Sequence, residues 1–184
     1  MDARKNNCRV GGNADPNAVN YFDFVKRIIG ADPKFNLREF ARNVGYKVEM
    51  QHRGPTIMPD LEPKIVDRWI RPEEIAGYIV EELLKLANAR CGKPVQRCVI
   101  TVPANFSDNQ KKATLDACTL AANDQGIKVM RMISEPTAAA LSYNLHKGEA
   151  CNALVFDFGG GTLDVTCLAA SEGMIDVMAT AGDN

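Results

Sequence analysis

Apolar and polar positions alternate weakly over the first third of the chain and sharply after it. Residues 17–29 predict a short helix, with Phe22, Val25 and Ile29 on one face and Gly30 as its stop. Residues 31–62 read as loop-rich, with one strand at 46–50 where Tyr46, Val48 and Met50 alternate with charged neighbours. The next helix is much clearer. Pro72 suits a first helical position, and Glu73 and Glu74 suit the positive end of the helix dipole. Ile75, Ile79, Leu83 and Leu86 then form an apolar stripe, closed by Arg90 and Gly92.

The run 98–102 (Cys-Val-Ile-Thr-Val) ends at Pro103 and predicts a buried strand. Ser107 and Gln110 stand at capping-box spacing, opening a helix to about Ala122. A second strand follows at 129–133, and Ser134-Glu135-Pro136 turns at once into an Ala-rich helix to about His146. Strand–helix–strand–helix over 98–147 is the pattern of a parallel α/β layer. After residue 150 the period becomes two. Strands at 153–158, 163–169 and 174–181, separated by Gly-rich and Ser-Glu-Gly turns, predict an antiparallel meander.

Composition narrows the classes. The chain has 184 residues, 46% apolar and 24% charged, so it is globular rather than disordered. No apolar run approaches the length of a bilayer helix, and the first residues show no secretory core, which predicts a cytoplasmic protein with no membrane partner. A net charge of −1 argues against nucleic acid held by counterion release. The charge is uneven: residues 1–60 carry ten basic and seven acidic side chains, and 101–184 carry five and ten. An acidic surplus is usually a solvated face, though it also offers carboxylates to a divalent cation. Cysteines at 8, 91, 98, 118, 151 and 167 lack zinc-site spacing and predict reduced, mostly buried thiols.

The segment with most chemical content is Val155–Val165. An apolar strand runs into Asp157, then Gly159, Gly160, Gly161 and Thr162, then Asp164 and another apolar strand. Consecutive glycines permit positive φ and close approach of a ligand to the backbone. Their amides can point at one anion, with the Thr162 hydroxyl beside them. A plain hairpin, whose glycines satisfy only turn geometry, is the competing reading; the two flanking carboxylates, suited to hold Mg²⁺ through its waters, tip the balance towards phosphate. No Gly-Lys-Ser/Thr follows, and a strand comes next rather than a helix, so neither a Walker loop nor a Rossmann fingerprint is present. Glu135, at a predicted strand end, could orient or deprotonate a water, although a Glu at a helix start also has a purely electrostatic role. Lys5 is, by composition, one of 22 basic residues.

Three segments join these positions. Residues 99–106 (Val-Ile-Thr-Val-Pro-Ala-Asn-Phe), 133–140 (Ile-Ser-Glu-Pro-Thr-Ala-Ala-Ala) and the 157–165 loop with its 179–183 sequel (Ala-Thr-Ala-Gly-Asp) resemble the ATPase domain of the 70-kDa heat-shock (Hsp70) chaperones, of the actin–hexokinase superfamily. The resemblance is strong over 72–184 and fainter over 1–71. It implies an α/β, ribonuclease H-like, two-lobed fold, present here in part: residues 1–71 from the outer subdomain of lobe I, 72–148 from its core, and 149–184 from the first strands of lobe II. It implies ATP or ADP with Mg²⁺ as ligands and coupled binding of unfolded peptides. J-domain co-chaperones and nucleotide exchange factors are the implied partners.

By position, the resemblance implies that Gly159, Gly160 and Gly161 present amides to the phosphates and that Asp157 and Asp164 sit around the Mg²⁺ waters. Thr162 would lie near the γ-phosphate, Glu135 would place the hydrolytic water, and Lys5 would contact the transferred phosphate. Pro103 and Lys111 would lie in the region that relays nucleotide state. The sequence departs from the family at Asn105, where an aromatic is usual, at Lys111, where arginine is usual, and in a longer 121–129 stretch. A first phosphate hairpin before Lys5 and adenosine-contacting helices after Asn184 belong to the resembling domain. Without them weak or no turnover is expected, and an uncovered sheet face with open edges predicts association. The alternatives are a non-catalytic partner-binding module of the same fold and a small-molecule kinase of the same superfamily; the Ile133–Ala140 segment speaks against the latter.

Overall fold

The computed structural model describes residues 9–10, 14–18, 20–59, 69–159 and 163–183, and the fold is mixed α/β. A short helix α1 (Leu37–Arg42) leads into the hairpin of β1 (Lys47–Gln51) and β2 (Gly54–Met58). Both α1 and β2 lie in the stretch expected to be mainly loop. The long helix α2 (Pro72–Cys91) follows, then β3 (Arg97–Val102), α3 (Asp108–Asn123) and β4 (Lys128–Ser134). β3 and β4 pair in parallel with α3 as the crossover, as the period switch predicts. Helix α4 (Glu135–Ser142) then leads to the antiparallel meander of β5 (Cys151–Phe158), β6 (Leu163–Ser171) and β7 (Met174–Asp183).

The expected helix over 17–29 is a single 3₁₀ turn, Val25–Arg27. Phe24 in front of it sits at φ 51°, a left-handed conformation that an α-helix cannot pass through. The apolar residues are still used: Val25 and Ile28 join Phe40, Tyr46, Ile57 and Ile75 in one core, and Ile29 joins Val102 and Phe106 in another. Tyr46 donates a 2.6 Å hydrogen bond to the Asp23 carbonyl, and burial, followed by the Asp23 charge, pushes its phenol well above the ordinary range.

Four further expectations need correction. Of the stripe on α2 only Ile75 is buried, whereas Ile79, Leu83 and Leu86 are exposed; the inward face is set by Leu84, which packs with Ala122 and Ile127 beneath α3. β3 is covered on one face only, so Val99 is exposed and the strand is not buried throughout. The Ala-rich helix ends at Ser142, because Asn144 turns left-handed at φ 58° and a 3₁₀ turn, Leu145–Lys147, replaces its last part. The thiols are less buried than expected: among the described cysteines only Cys118 is buried, and Cys91 and Cys151 are exposed.

Alternation on β6 shows how the meander is packed. Asp164, Thr166, Leu168 and Ala170 are buried on one face, where α4 and the 3₁₀ turn after it contact the sheet. The opposite face of β5, formed by Leu154, Phe156 and Phe158, is open.

Candidate functional site

Register places two carboxylates at one level of the sheet. Asp157 on β5 faces Asp164 on β6, immediately before and after the glycine turn. Directly paired residues of antiparallel strands project to the same side, so both lie on the face covered further along by α4. Their environments differ: Asp157 is exposed at the sheet edge, and Asp164 is only 3% exposed. Gly159 follows β5 and is exposed. Gly160, Gly161, Thr162 and Lys5 lie outside the described residues, so their expected roles concern positions the structure does not describe.

The third strand contributes a residue that sequence reasoning noted only within a motif. Gly182 on β7 pairs with Asp164. A Cβ at Gly182 would collide with the Leu163 carbonyl oxygen and stand 3.0 Å from Asp164 Oδ1. Only glycine leaves room for the carboxylate at this level. The sequence marks the position as the glycine of Ala-Thr-Ala-Gly-Asp, but its reason appears only when β7 lies against β6.

Glu135 is set by a different piece of local chemistry. It is the first residue of α4, preceded by the N-cap Ser134, whose Oγ accepts from the Thr137 amide at 3.2 Å and lies 2.6 Å from the Thr137 hydroxyl. Pro136 is buried at the second helical position, where its missing N–H costs nothing. The cap and the proline together fix where the Glu135 side chain leaves the backbone. The same helix packs on β5 and β7, so β4, α4 and the meander form one continuous unit.

The Glu135 carboxylate is paired with Lys26, whose Nζ donates to Oε1 at 2.8 Å across 109 positions of sequence. Lys26 belongs to the 3₁₀ turn that Gly30 anchors to α3. Gly30 sits at φ 56°, and a Cβ there would stand 2.6 Å from the Asn109 carbonyl oxygen and 2.9 Å from Ala113 Cβ. The turn therefore rests directly on α3, and Lys26 reaches Glu135 from that support. Sequence reasoning missed Lys26, since nothing local announces a partner so far along the chain. Pro103 is fully buried beneath the start of α3, and Lys111 forms a loose 3.9 Å pair with Asp108 within that helix.

The groups available for holding a cation are the two carboxylates Asp157 and Asp164, which face each other across β5 and β6. Among the described residues no group of three or more His, Cys, Asp or Glu is set to grip a metal directly. Two carboxylates at one level, one of them exposed, fit a cation that keeps most of its water shell, as Mg²⁺ does. Also among the described residues, no helix is long and apolar enough to cross a membrane.

Comparison with known proteins agrees with these motifs. The family model described as Hsp70 protein matches residues 5–184. The chain is similar to a chaperone protein dnaK of Thalassiosira pseudonana, 40% identical over 167 residues, covering 91% of this chain and 26% of that protein. It is 42% identical over 167 residues to chaperone protein dnaK1 of Prochlorococcus marinus subsp. pastoris, covering 91% of this chain and 24% of the relative. Over 121 residues it is 49% identical to chaperone protein DnaK of Nitrosopumilus maritimus, covering 65% of this chain and 18% of that protein. The chain thus spans about a quarter of the length of the curated relatives it matches.

Proposed function

The chain belongs to the Hsp70 family, and from that premise we propose that it is part of a nucleotide-binding domain whose parent reaction is MgATP hydrolysis coupled to the holding and release of unfolded peptides. The fold of this reading is ribonuclease H-like and two-lobed. Residues 1–71 belong to the outer subdomain of lobe I, 72–148 to its core and 149–184 to the start of lobe II. J-domain co-chaperones and exchange factors act on the parent protein, in the cytoplasm.

The observation that carries the proposal is the Asp157–Asp164 level bracketing the glycine turn, with Gly182 leaving space beside it. The amides of Gly159, Gly160 and Gly161 receive the phosphates, and Thr162 donates near the γ-phosphate. Mg²⁺, when bound, neutralises charge on the phosphates while Asp157 and Asp164 accept hydrogen bonds from its waters. Lys5 contributes its charge at the transferred phosphate. Glu135 accepts a hydrogen bond from the attacking water and orients it, and Lys26 holds that carboxylate in place. Phosphoryl transfer asks for this kind of positioning and charge stabilisation more than for covalent chemistry.

Calorimetric titration with MgADP tests the reading. Binding is expected in the unaltered chain, lost in Gly160→Val and weakened in Asp164→Asn. A folded chain that takes up no nucleotide refutes it.

A further inference from the structure

Helices α2 and α3 pack side by side, and Leu84 and Ala122 turn their inner sides towards Cys98 and Val129 of the β3–β4 pair. They run in the same direction: Gly77 stands opposite Ala117, and further along Gln125 Nε2 donates to the Glu81 carbonyl at 3.0 Å. A groove of about 520 Å³ lies between them. Its two walls carry the same order of side chains, Glu74, Tyr78 and Glu81 along α2 and Asp116, Leu120 and Asp124 along α3. Spacings of three and four residues keep each row on one helix face. Each wall thus sets one large apolar side chain between two carboxylates about 10–12 Å apart. Gly77 and Ala117 form the floor, where a Cβ on the glycine would already touch the Ala117 carbonyl oxygen at 3.8 Å. With Glu73, five carboxylates line the groove. Against them stand Arg71, paired with Glu73 at 3.2 Å, Lys85, paired with Glu81 at 3.1 Å, and Lys112, paired with Asp116, so negative charge is in excess.

We propose that this groove docks a basic helical segment of a partner protein, one that sets an apolar side chain between lysines or arginines four residues before and after it. The apolar side chain lies over the Gly77–Ala117 floor, between Tyr78 and Leu120, and the two cations reach the carboxylates at either end. Leu120 is 67% exposed, which is unusual for a leucine between two carboxylates on an otherwise polar helix face and gives the partner an apolar contact to cover. Lysine and arginine stems add apolar contact of their own while their charged heads stay in water. A second copy of the chain is the poorer occupant, since a two-fold axis through the groove brings the same carboxylates together. The groove is also independent of the uncovered apolar stripe on α2. Ile79, Leu83 and Leu86 lie about half a turn round the helix from Glu74 and Glu81, so chain that covers that stripe, or strands that widen the β3–β4 sheet, leaves the groove open. Ion pairs at an exposed site are individually weak and screened by salt, so the docking is micromolar and salt-sensitive.

Fluorescence anisotropy on the full chain tests the proposal, with a fluorescein-labelled helical peptide that carries Lys-x-x-x-Leu-x-x-x-Lys on one face as the probe. Saturable binding is expected, weakened as salt is raised. Its dissociation constant should rise at least about tenfold in Asp116→Lys/Asp124→Lys and about tenfold in Leu120→Gln. All three substituted residues are exposed, so circular dichroism should show each variant folded as the unaltered chain is. Leu83→Gln, on the other side of α2, and Phe156→Glu, on the open face of β5, should leave binding unchanged. Absence of saturable binding up to about 100 µM overturns the proposal. So does equal binding by folded Asp116→Lys/Asp124→Lys, an equal loss in Leu83→Gln or Phe156→Glu, or equal affinity for a peptide with glycine in place of the leucine. Self-association of the chain in sedimentation velocity, abolished by Leu120→Gln, gives the groove to a second copy and overturns it as well.

Discussion

Replacing Gly30 with alanine isolates the joint between the Lys26 turn and helix α3. Two costs are expected at this position. The residue sits at φ 56°, where an L side chain costs about 1–2 kcal/mol. The new Cβ would also stand 2.6 Å from the Asn109 carbonyl oxygen and 2.9 Å from Ala113 Cβ, and backbone cannot rotate away as a side chain can. Relieving that overlap means lifting the turn off α3, which loosens Ile29 against Val102 and Phe106. Overpacking of this kind costs about 1–3 kcal/mol, so the total is about 2–5 kcal/mol. Gly92 supplies the control: it ends α2 at φ 64°, and a Cβ there meets nothing within 4 Å. Gly92→Ala should therefore cost only the backbone part, about 1–2 kcal/mol. Urea unfolding followed by circular dichroism measures both. At about 2–4 °C per kcal/mol for a chain of this size, Gly30→Ala should also melt several degrees below Gly92→Ala. Equal destabilisation by the two substitutions would refute the claim that close approach, and not φ alone, dictates glycine at position 30.

Two further outcomes follow from the same contacts. Burial, with a smaller contribution from Cys98, pushes the Cys118 thiol up to about 11 from its ordinary 9.0. The unfolded chain therefore releases this proton first, so the stabilising contribution is complete below about pH 9 and is lost as pH rises towards about 11, by at most about 3 kcal/mol; urea midpoints across that window should fall in the unaltered chain and fall less steeply in Cys118→Ala. Gly182→Ala forces a Cβ onto the Leu163 carbonyl and beside Asp164 Oδ1, so it should both destabilise the meander by about 1–3 kcal/mol and weaken MgADP binding in calorimetry, whereas Gly173→Ala, in the β6–β7 turn with open space around it, should leave binding unchanged.

Helix and strand identity after residue 72 was legible because local signals agree with one another there. Pro72 with two glutamates, the Ser107–Gln110 capping box and the cap at Ser134 each satisfy helix-end amides without help from distant residues. The two-residue period of 163–171 likewise persists because one face of β6 is buried. The early region misled for the same reason in reverse. Apolar spacing at 22, 25 and 29 suits a helix, but those residues are drawn into two different cores, and Phe24 takes a left-handed conformation between them.

The apolar stripe on α2 shows the limit more sharply. Periodicity reports that Ile75, Ile79, Leu83 and Leu86 share a face, and it cannot report what stands opposite. Of these only Ile75 is buried, while Leu84 is the residue that packs with Ala122 and Ile127. At the candidate site, Asp157, Asp164 and the glycine turn could be proposed from the order of residues alone, because they stand at short spacing along the chain, whereas Glu135 is singled out through the family resemblance. Lys26 and the reason for Gly182 could not. The first meets Glu135 across 109 positions, and the second depends on β7 lying in one register against β6. Short-range chemistry is written in neighbouring residues. Pairing across the chain, and which apolar face is left bare, exist only once the elements have been packed in space.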